Sequence, residues 1–395
     1  MSNASQPAGG VVHEIRWSDA LPWWILFRAA AAAFSPTVIV LGALGAAATW
    51  AGWSAGNQLG LPGGVPGAGG PAAIQVGDGS VLVLPDAGGE AAGIGVLTPS
   101  LDAVPWIHGL AARLPGPLAE AMQLLTVPFS PTATLPEMGG ALARIGWFVL
   151  VWSIFGTAIS RHVALRLTGE EAPGILGATL YGSRKWLPSF NSVLFVLVGI
   201  VALSVPGTLL GLLMRTEWGL AFAGAVWPLV LLGAVVLAIL AVGVVAGWPL
   251  MVAAVGVERG DSFQAISTSF SYLYQRPLHY AFYGLVALLV AVPALAVAGL
   301  FADATGTLAM WAASLGMGPE RTKEVLEGLA GQGPAAGTWG VKALVFWTRG
   351  LTALLASFGW GYFWAIATAV YLLLRQDVDG TEMDEVVIDE PGTAR

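Results

Sequence analysis

Residues 218–257 read WGLAFAGAVWPLVLLGAVVLAILAVGVVAGWPLMVAAVGV, forty positions without one charged side chain. Within them, Trp227-Pro228 and Trp248-Pro249 bracket twenty-one residues. As a helix, that interval spans about 31 Å, the thickness of a bilayer's hydrocarbon core. A soluble domain does not leave such a run uncharged, so the chain reads as an integral membrane protein. The start of the run has two readings: Trp218–Val226 lies flat at the surface, or the span begins early and tilts.

The rest of the chain has the same character. It is 56% hydrophobic and 10% charged, against about 25% charged in soluble proteins. Hydropathy places six spans at Ala29–Trp53, Ala141–Ser160, Asn191–Met214, Pro228–Val257, Leu278–Phe301 and Gly350–Leu374. The fold expected is therefore an all-α membrane protein with six transmembrane helices. Arg144 falls near the start of the second span, where it is expected to snorkel to the interface. The first span is 25 uncharged residues long after a mixed 28-residue segment, which reads as an uncleaved anchor and not a signal peptide.

Lysine and arginine set the orientation. With the N-terminus inside, ten basic residues fall on the inner side and seven on the longer outer segments. Both termini are then cytoplasmic, in a bacterial cytoplasmic (inner) membrane. Trp23, Trp24, Trp186 and Trp248 lie near inner boundaries, and Trp50, Trp53, Trp147 and Trp218 near outer ones, where indole rings prefer to sit. The domain plan is a cytoplasmic segment 1–28, a first span 29–53, an outer loop 54–140, a membrane domain 141–374 and an acidic tail 375–395. Gly60–Pro71 is a Gly/Pro linker. Apolar runs at 74–76 and 81–84 around Gly77-Asp78-Gly79-Ser80 suggest a β-hairpin. Pro319–Leu329 suggests a short amphipathic helix, with Val325, Leu326 and Leu329 on one face.

An internal repeat is visible. Gly169-Glu170, a mixed helix, Arg184-Lys185, Pro188 and a span with Pro206 match Gly260-Asp261, a mixed helix, Arg276-Pro277 and a span with Pro293. Each unit reads as an acidic turn, a cytoplasmic surface helix, a basic-Pro turn and a leaving span. Equal orientation makes them parallel repeats. In the second surface helix Phe263, Ile266, Phe270 and Leu273 share a face, which is expected to rest on the headgroup layer. A third unit, split between the termini, would begin with Trp17, Leu21 and Trp24.

Motifs for chemistry are scarce. No cysteine is present, which removes thiol catalysis, disulfides and cysteine metal sites. A net charge of −7 without a basic patch speaks against nucleic acid as a partner. Gly52-Trp53-Ser54-Ala55-Gly56 fits the nucleophile-elbow pattern, but it ends an apolar helix where the elbow needs a strand-to-helix turn. The four histidines, at 13, 108, 162 and 279, have no metal-ligand spacing. Catalytic, cofactor and metal residues are therefore all expected to be absent. Three positions remain as speculative ligand or lipid contacts: Arg276, His279 at an inner boundary, and Arg349, which either snorkels or touches an anion or headgroup. Gly207/Gly211 and Gly243/Gly247 are pairs that let helices approach closely.

The stretch from Pro249-Leu250 through Glu258-Arg259-Gly260-Asp261, Ala265, Tyr272 and Arg276-Pro277 is similar to uncharacterised polytopic membrane proteins of bacteria. More loosely, it resembles the membrane domain attached to some glycerophosphodiester phosphodiesterases. The resemblance covers residues 247–301 and the weaker copy, and implies a surface helix linking two spans. It does not imply the phosphodiesterase activity, because the chain has no room for that domain's metal-binding acids. The expected role is a non-enzymatic scaffold or accessory subunit, with the bilayer and possible other membrane proteins as partners. The alternative is a transporter or lipid-handling protein with a cavity between the repeated units.

Overall fold

A computed structural model describes residues 21–62, 128 and 133–381. Among the described residues every regular element is helical. The helices are α1 (Ile25–Ala33), α2 (Pro36–Gln58), α3 (Leu135–Thr168), α4 (Ile175–Leu213), α5 (Glu217–Glu258), α6 (Ser262–Gln275), α7 (Pro277–Met317), α8 (Pro319–Leu329), α9 (Trp339–Ala356) and α10 (Phe358–Asp379). Five of them, α2, α3, α4, α5 and α7, are long and apolar enough to cross a membrane. The β-hairpin expected near residue 78, the third-unit residue Trp17 and the tail beyond Thr381 lie outside the described residues.

The local chemistry explains most helix ends. Thr134 caps α3 through a reciprocal capping box with Glu137. Thr216 and Asp261 cap α5 and α6 by accepting from Gly219 N and Gln264 N. Helix-ending turns fall at both Gly169-Glu170 and Gly260-Asp261. Gly169 ends α3 in the left-handed region at φ 84°, and Arg259 ends α5 there at φ 62°. The amphipathic helix is found over Pro319–Leu329 as expected, with Val325 buried and Leu326 exposed.

Three expectations about the spans need correction. The first apolar run is not one helix: it breaks at Phe34-Ser35, and Pro36 opens α2 at the position where its missing N–H costs nothing. The last run breaks at Ser357, so Gly350–Leu374 is the end of α9 followed by α10. The basic-Pro turn of the first repeat copy does not form. Helix α4 runs without interruption through Arg184, Lys185 and Pro188, whereas Arg276-Pro277 does separate α6 from α7. The helix is intact on both sides of Pro188, as membrane helices tolerate a proline where neighbouring helices, Ser/Thr side chains or water take up the freed backbone groups.

Helix α10 is the axis of the packed region. From Phe358 to Arg375 every residue except Phe363 is buried, and α1, α2, α3, α5 and α7 all lie against it. Its glycines make this possible. A Cβ at Gly361 would come within 2.8 Å of Val38, and one at Gly42 within 3.1 Å of the Gly361 nitrogen. The two helix breaks also meet, with the Phe34 and Phe358 rings 4.6 Å apart. Around α10 sits an aromatic core. Trp152 stacks on Trp360 at 4.3 Å, and Trp248 meets Trp364 edge-on at 5.1 Å with Phe148 at 5.3 Å from Trp248.

Away from this core much of α4 and α5 is exposed among the described residues. Val198 to Leu213 of α4 and Leu220 to Val242 of α5 carry exposed leucines, valines and aromatics along most of their length. The Gly207/Gly211 pair has open space on both residues and mediates no contact among the described residues. The Gly243/Gly247 pair does: it seats Phe270 and Ser269 of α6.

Helix α6 buries a face about 100° round from its apolar stripe, with Leu273 in both. Its buried stripe is Ser262, Ala265, Ser269 and Tyr272, together with Leu273, while Phe263 is exposed and stacks on Phe195. In lipid, small residues let helices approach and bulky apolar ones face outward.

Candidate functional site

Two features stand out where helices converge. The first is a polar cluster at the end of the packed region that the charge distribution assigns to the cytoplasm. Glu258 closes α5 and accepts from the Tyr371 hydroxyl at 2.5 Å and from Gln264 Nε2 at 2.9 Å, with Arg375 Nε 3.8 Å away. Asp379 accepts from the Tyr272 hydroxyl, and Asp377 from that of Tyr283 at 2.7 Å. Burial first, then the hydrogen bond to Asp379 and its charge, push the Tyr272 hydroxyl well above the usual tyrosine range.

The other half of the cluster serves the end of α5. Tyr181 donates to the Val255 carbonyl at 2.9 Å, Lys185 to that of Arg259 at 2.9 Å and Arg161 to that of Val257 at 3.4 Å. The guanidinium groups of Arg161 and Arg259 lie 5.3 and 6.0 Å from the centre of the Tyr181 ring. The Val257 and Arg259 carbonyls lie at the helix end, where internal partners run out, while Val255 O also accepts from Arg259 N at 3.1 Å; cations there suit the helix dipole. The cluster is a charged clasp that ties α3, α4, α5, α6, α7 and α10 together.

The second feature is a groove of about 530 Å³ between α7 and α10, closed on one side by Pro249 and Leu250 of α5. Its wall is apolar. The two tyrosines along it turn their hydroxyls onto backbone carbonyls, Tyr280 to Ala246 at 2.7 Å and Tyr362 to Ala287 at 2.5 Å. Polar groups are thus consumed at the edges, and the interior is lined by Gly284, Leu288, Ala291, Phe363 and Ala367 among others.

The residues singled out from sequence are not brought together as a set. Arg276 and His279 are exposed around the start of α7, Arg276 about one turn before the groove's Tyr280 and His279 immediately before it. Arg349 is exposed on α9 and lines neither feature. Arg144 does not snorkel. It is 4% exposed and donates to Pro62 O at 2.7 Å, Leu61 O at 2.8 Å, Asn57 Oδ1 at 3.0 Å and Gly140 O at 3.3 Å, pinning the end of α2 to α3. Carbonyl oxygens converge on it at the point where α2 stops, so the charge is better served inward than at the surface.

Ser54 lies inside α2, so the elbow pattern has no elbow. A serine–histidine contact does occur elsewhere, between Ser35 Oγ and His162 Nε2 at 3.4 Å, with His162 Nδ1 2.8 Å from the Pro173 carbonyl. Both side chains are about 95% buried, at 5% exposure each. The contact joins the α1–α2 break to α3 and offers no approach to a substrate carbonyl. Among the described residues no group of histidines and carboxylates is placed to hold a metal.

Sequence reasoning did not find the tyrosine–carboxylate clasp. Glu258 was visible as the last residue before Arg259-Gly260, and Tyr371 and Arg375 share a helix face four residues apart. Their partnership depends on α5 and α10 lying side by side, which no local pattern encodes. No protein-family model matches the chain, and no curated protein or solved structure matches it either.

Proposed function

We propose that the protein is a non-enzymatic scaffold or accessory subunit of a bacterial cytoplasmic membrane, with both termini cytoplasmic and its outer helical arms holding another membrane protein. The observation that carries this reading is the mismatch between α5 and a bilayer. Its uncharged run of forty residues is about 60 Å long, twice the hydrocarbon thickness. To fit inside lipid alone it would tilt by about 60°, beyond the range of about 0–40° seen for spanning helices. Part of the exposed apolar surface on α4 and α5 therefore needs cover that lipid does not supply, and a second membrane protein is the partner that supplies it. The aromatic core around Trp152 and Trp360 supports the same reading, since it fills the centre of the packed region with large apolar rings.

The test is a photo-reactive amino acid placed at Leu232, on the exposed half of α5, or at Leu250 on the buried half. In native membranes Leu232 is expected to yield a discrete band of higher mass, and Leu250 only bonds within the chain. Adducts with lipid alone at Leu232, Leu220 and Leu209 would sink the proposal. Reporter fusions at Ser100 and Gln264 check the orientation; finding both on one side of the membrane removes it.

A further inference from the structure

We infer that the groove between α7 and α10 is a phospholipid site, taking one acyl chain along its apolar wall and the phosphate at the start of α7. Three observations meet there. The groove follows α7 from Tyr280 to Leu295 and α10 from Val370 back to Gly359, about 22 Å along α7. That is longer than the roughly 15 Å of one leaflet's hydrocarbon, half of the bilayer's, so an extended or bent chain can follow it. It stays open because its walls carry small residues where bulkier side chains would fill it: Ala281, Gly284, Ala287 and Ala291 on one wall, Gly359 and Ala367 on the other.

The third observation is charge. Arg276 precedes Pro277 at the first position of α7 and stands four residues before Tyr280 of the groove wall. His279 follows within the first turn, its ring 6.2 Å from that of Tyr283. Neither the Arg276 nor the His279 side chain makes a hydrogen bond or ion pair among the described residues, and both are exposed. Two positively charged or protonatable side chains at a helix start, where the dipole also favours an anion, are complementary to a phosphate and to nothing apolar. Asp377 lies near the same mouth, but Tyr283 donates to it and spreads its charge. A partner transmembrane helix would use the wall but leave the two basic groups unused; a phospholipid uses both. The site stands independently of the partner-binding reading, which concerns α4 and α5.

The experiment uses the full chain in nanodiscs containing a phosphatidylglycerol with a diazirine at the acyl terminus, and maps the adducts by peptide mass. Labelling is expected to concentrate within residues 280–295 and 359–370. It should fall at least several-fold in Ala291→Phe, which fills the groove, and in the double variant Arg276→Gln/His279→Gln, which leaves the groove intact. Ala367→Leu gives a milder filling should Ala291→Phe fail to assemble, with elution volume and circular dichroism as the folding check. A diacylglycerol carrying the same diazirine but no phosphate should label the groove several-fold less. Adducts spread evenly over the exposed leucines of α4 and α5 would overturn the site. Equal labelling by diacylglycerol, unchanged by the double variant, would overturn the assignment to a phospholipid. Protein cross-links from the groove that exclude the lipid probe would replace it with a transmembrane partner.

Discussion

The two halves of α5 are nearly indistinguishable as sequence and opposite as structure. Between Leu220 and Val242 the helix shows its leucines and valines to the surroundings, while between Leu250 and Val257 every residue is buried. Composition does not separate them, because the whole run from Trp218 to Val257 is uncharged. What differs is the company. The second half has α3, α4 and α10 against it, held by the clasp at Glu258; among the described residues the first half meets α4 near Gly219 and α6 only where Tyr274 reaches the Ile239 carbonyl. In a membrane protein, apolar character reports that water is excluded and leaves open whether lipid or protein does the excluding.

The aromatic core beside the buried half offers the strongest challenge to that contrast. Trp364 is fully buried against Trp152, Trp248 and Gly156, so Trp364→Ala should cost about 3–5 kcal/mol by loss of contacts and an unfilled cavity. Leu232→Ala on the exposed half should change stability by about 0.5 kcal/mol or less in detergent. Reversible unfolding in mixed micelles measures both, and similar losses would mean the exposed half is packed after all.

A pair of cations repeats the contrast at a smaller scale. Arg144 is buried and satisfies four oxygens; Arg144→Ala strands several of them and should cost about 2–3 kcal/mol. Arg349, exposed on α9, should tolerate alanine within about 0.5 kcal/mol. Thermal shift in one detergent compares the two directly.

Glycines give a third contrast. A Cβ at Gly182 would strike the Ile154 carbonyl, so Gly182→Val should force α3 and α4 apart at a cost of about 1–3 kcal/mol. Gly233 has nothing within 4 Å, and the same change there should be close to neutral. A marked loss at Gly233 in membranes but not in detergent would locate the partner proposed for the arm.

The clasp that holds the buried half carries the mildest effect. Because the Tyr272 hydroxyl is raised in the folded state, its contribution is fully present below the unfolded tyrosine value of about 10 and is lost as pH rises through the folded value. Stability should therefore decline above about pH 10. Tyr272→Phe should lower stability by about 1 kcal/mol at neutral pH and flatten part of that alkaline decline. An unchanged alkaline limb would show that Tyr272 is not held as described.

The sequence determined that this is a helical membrane protein, where its acidic turns fall, and that residues 319–329 form a helix of their own. These follow from hydropathy over twenty-residue windows and from capping chemistry, both of which act within a few turns of chain. It also carried the signal for the α1–α2 break in Ser35-Pro36, which the continuous apolar composition of the region outweighed. Ser357 had no such mark. Tertiary structure alone decided that α4 passes straight through Pro188, that Arg144 turns inward, and that α10 becomes the axis of the packed region. It also decided that Glu258, Tyr371 and Arg375 meet. Each of these depends on which helix lies beside which. Neighbours distant in the chain supply the carbonyls, hydroxyls and small-residue surfaces that fix such choices, and apolar sequence carries almost no record of them.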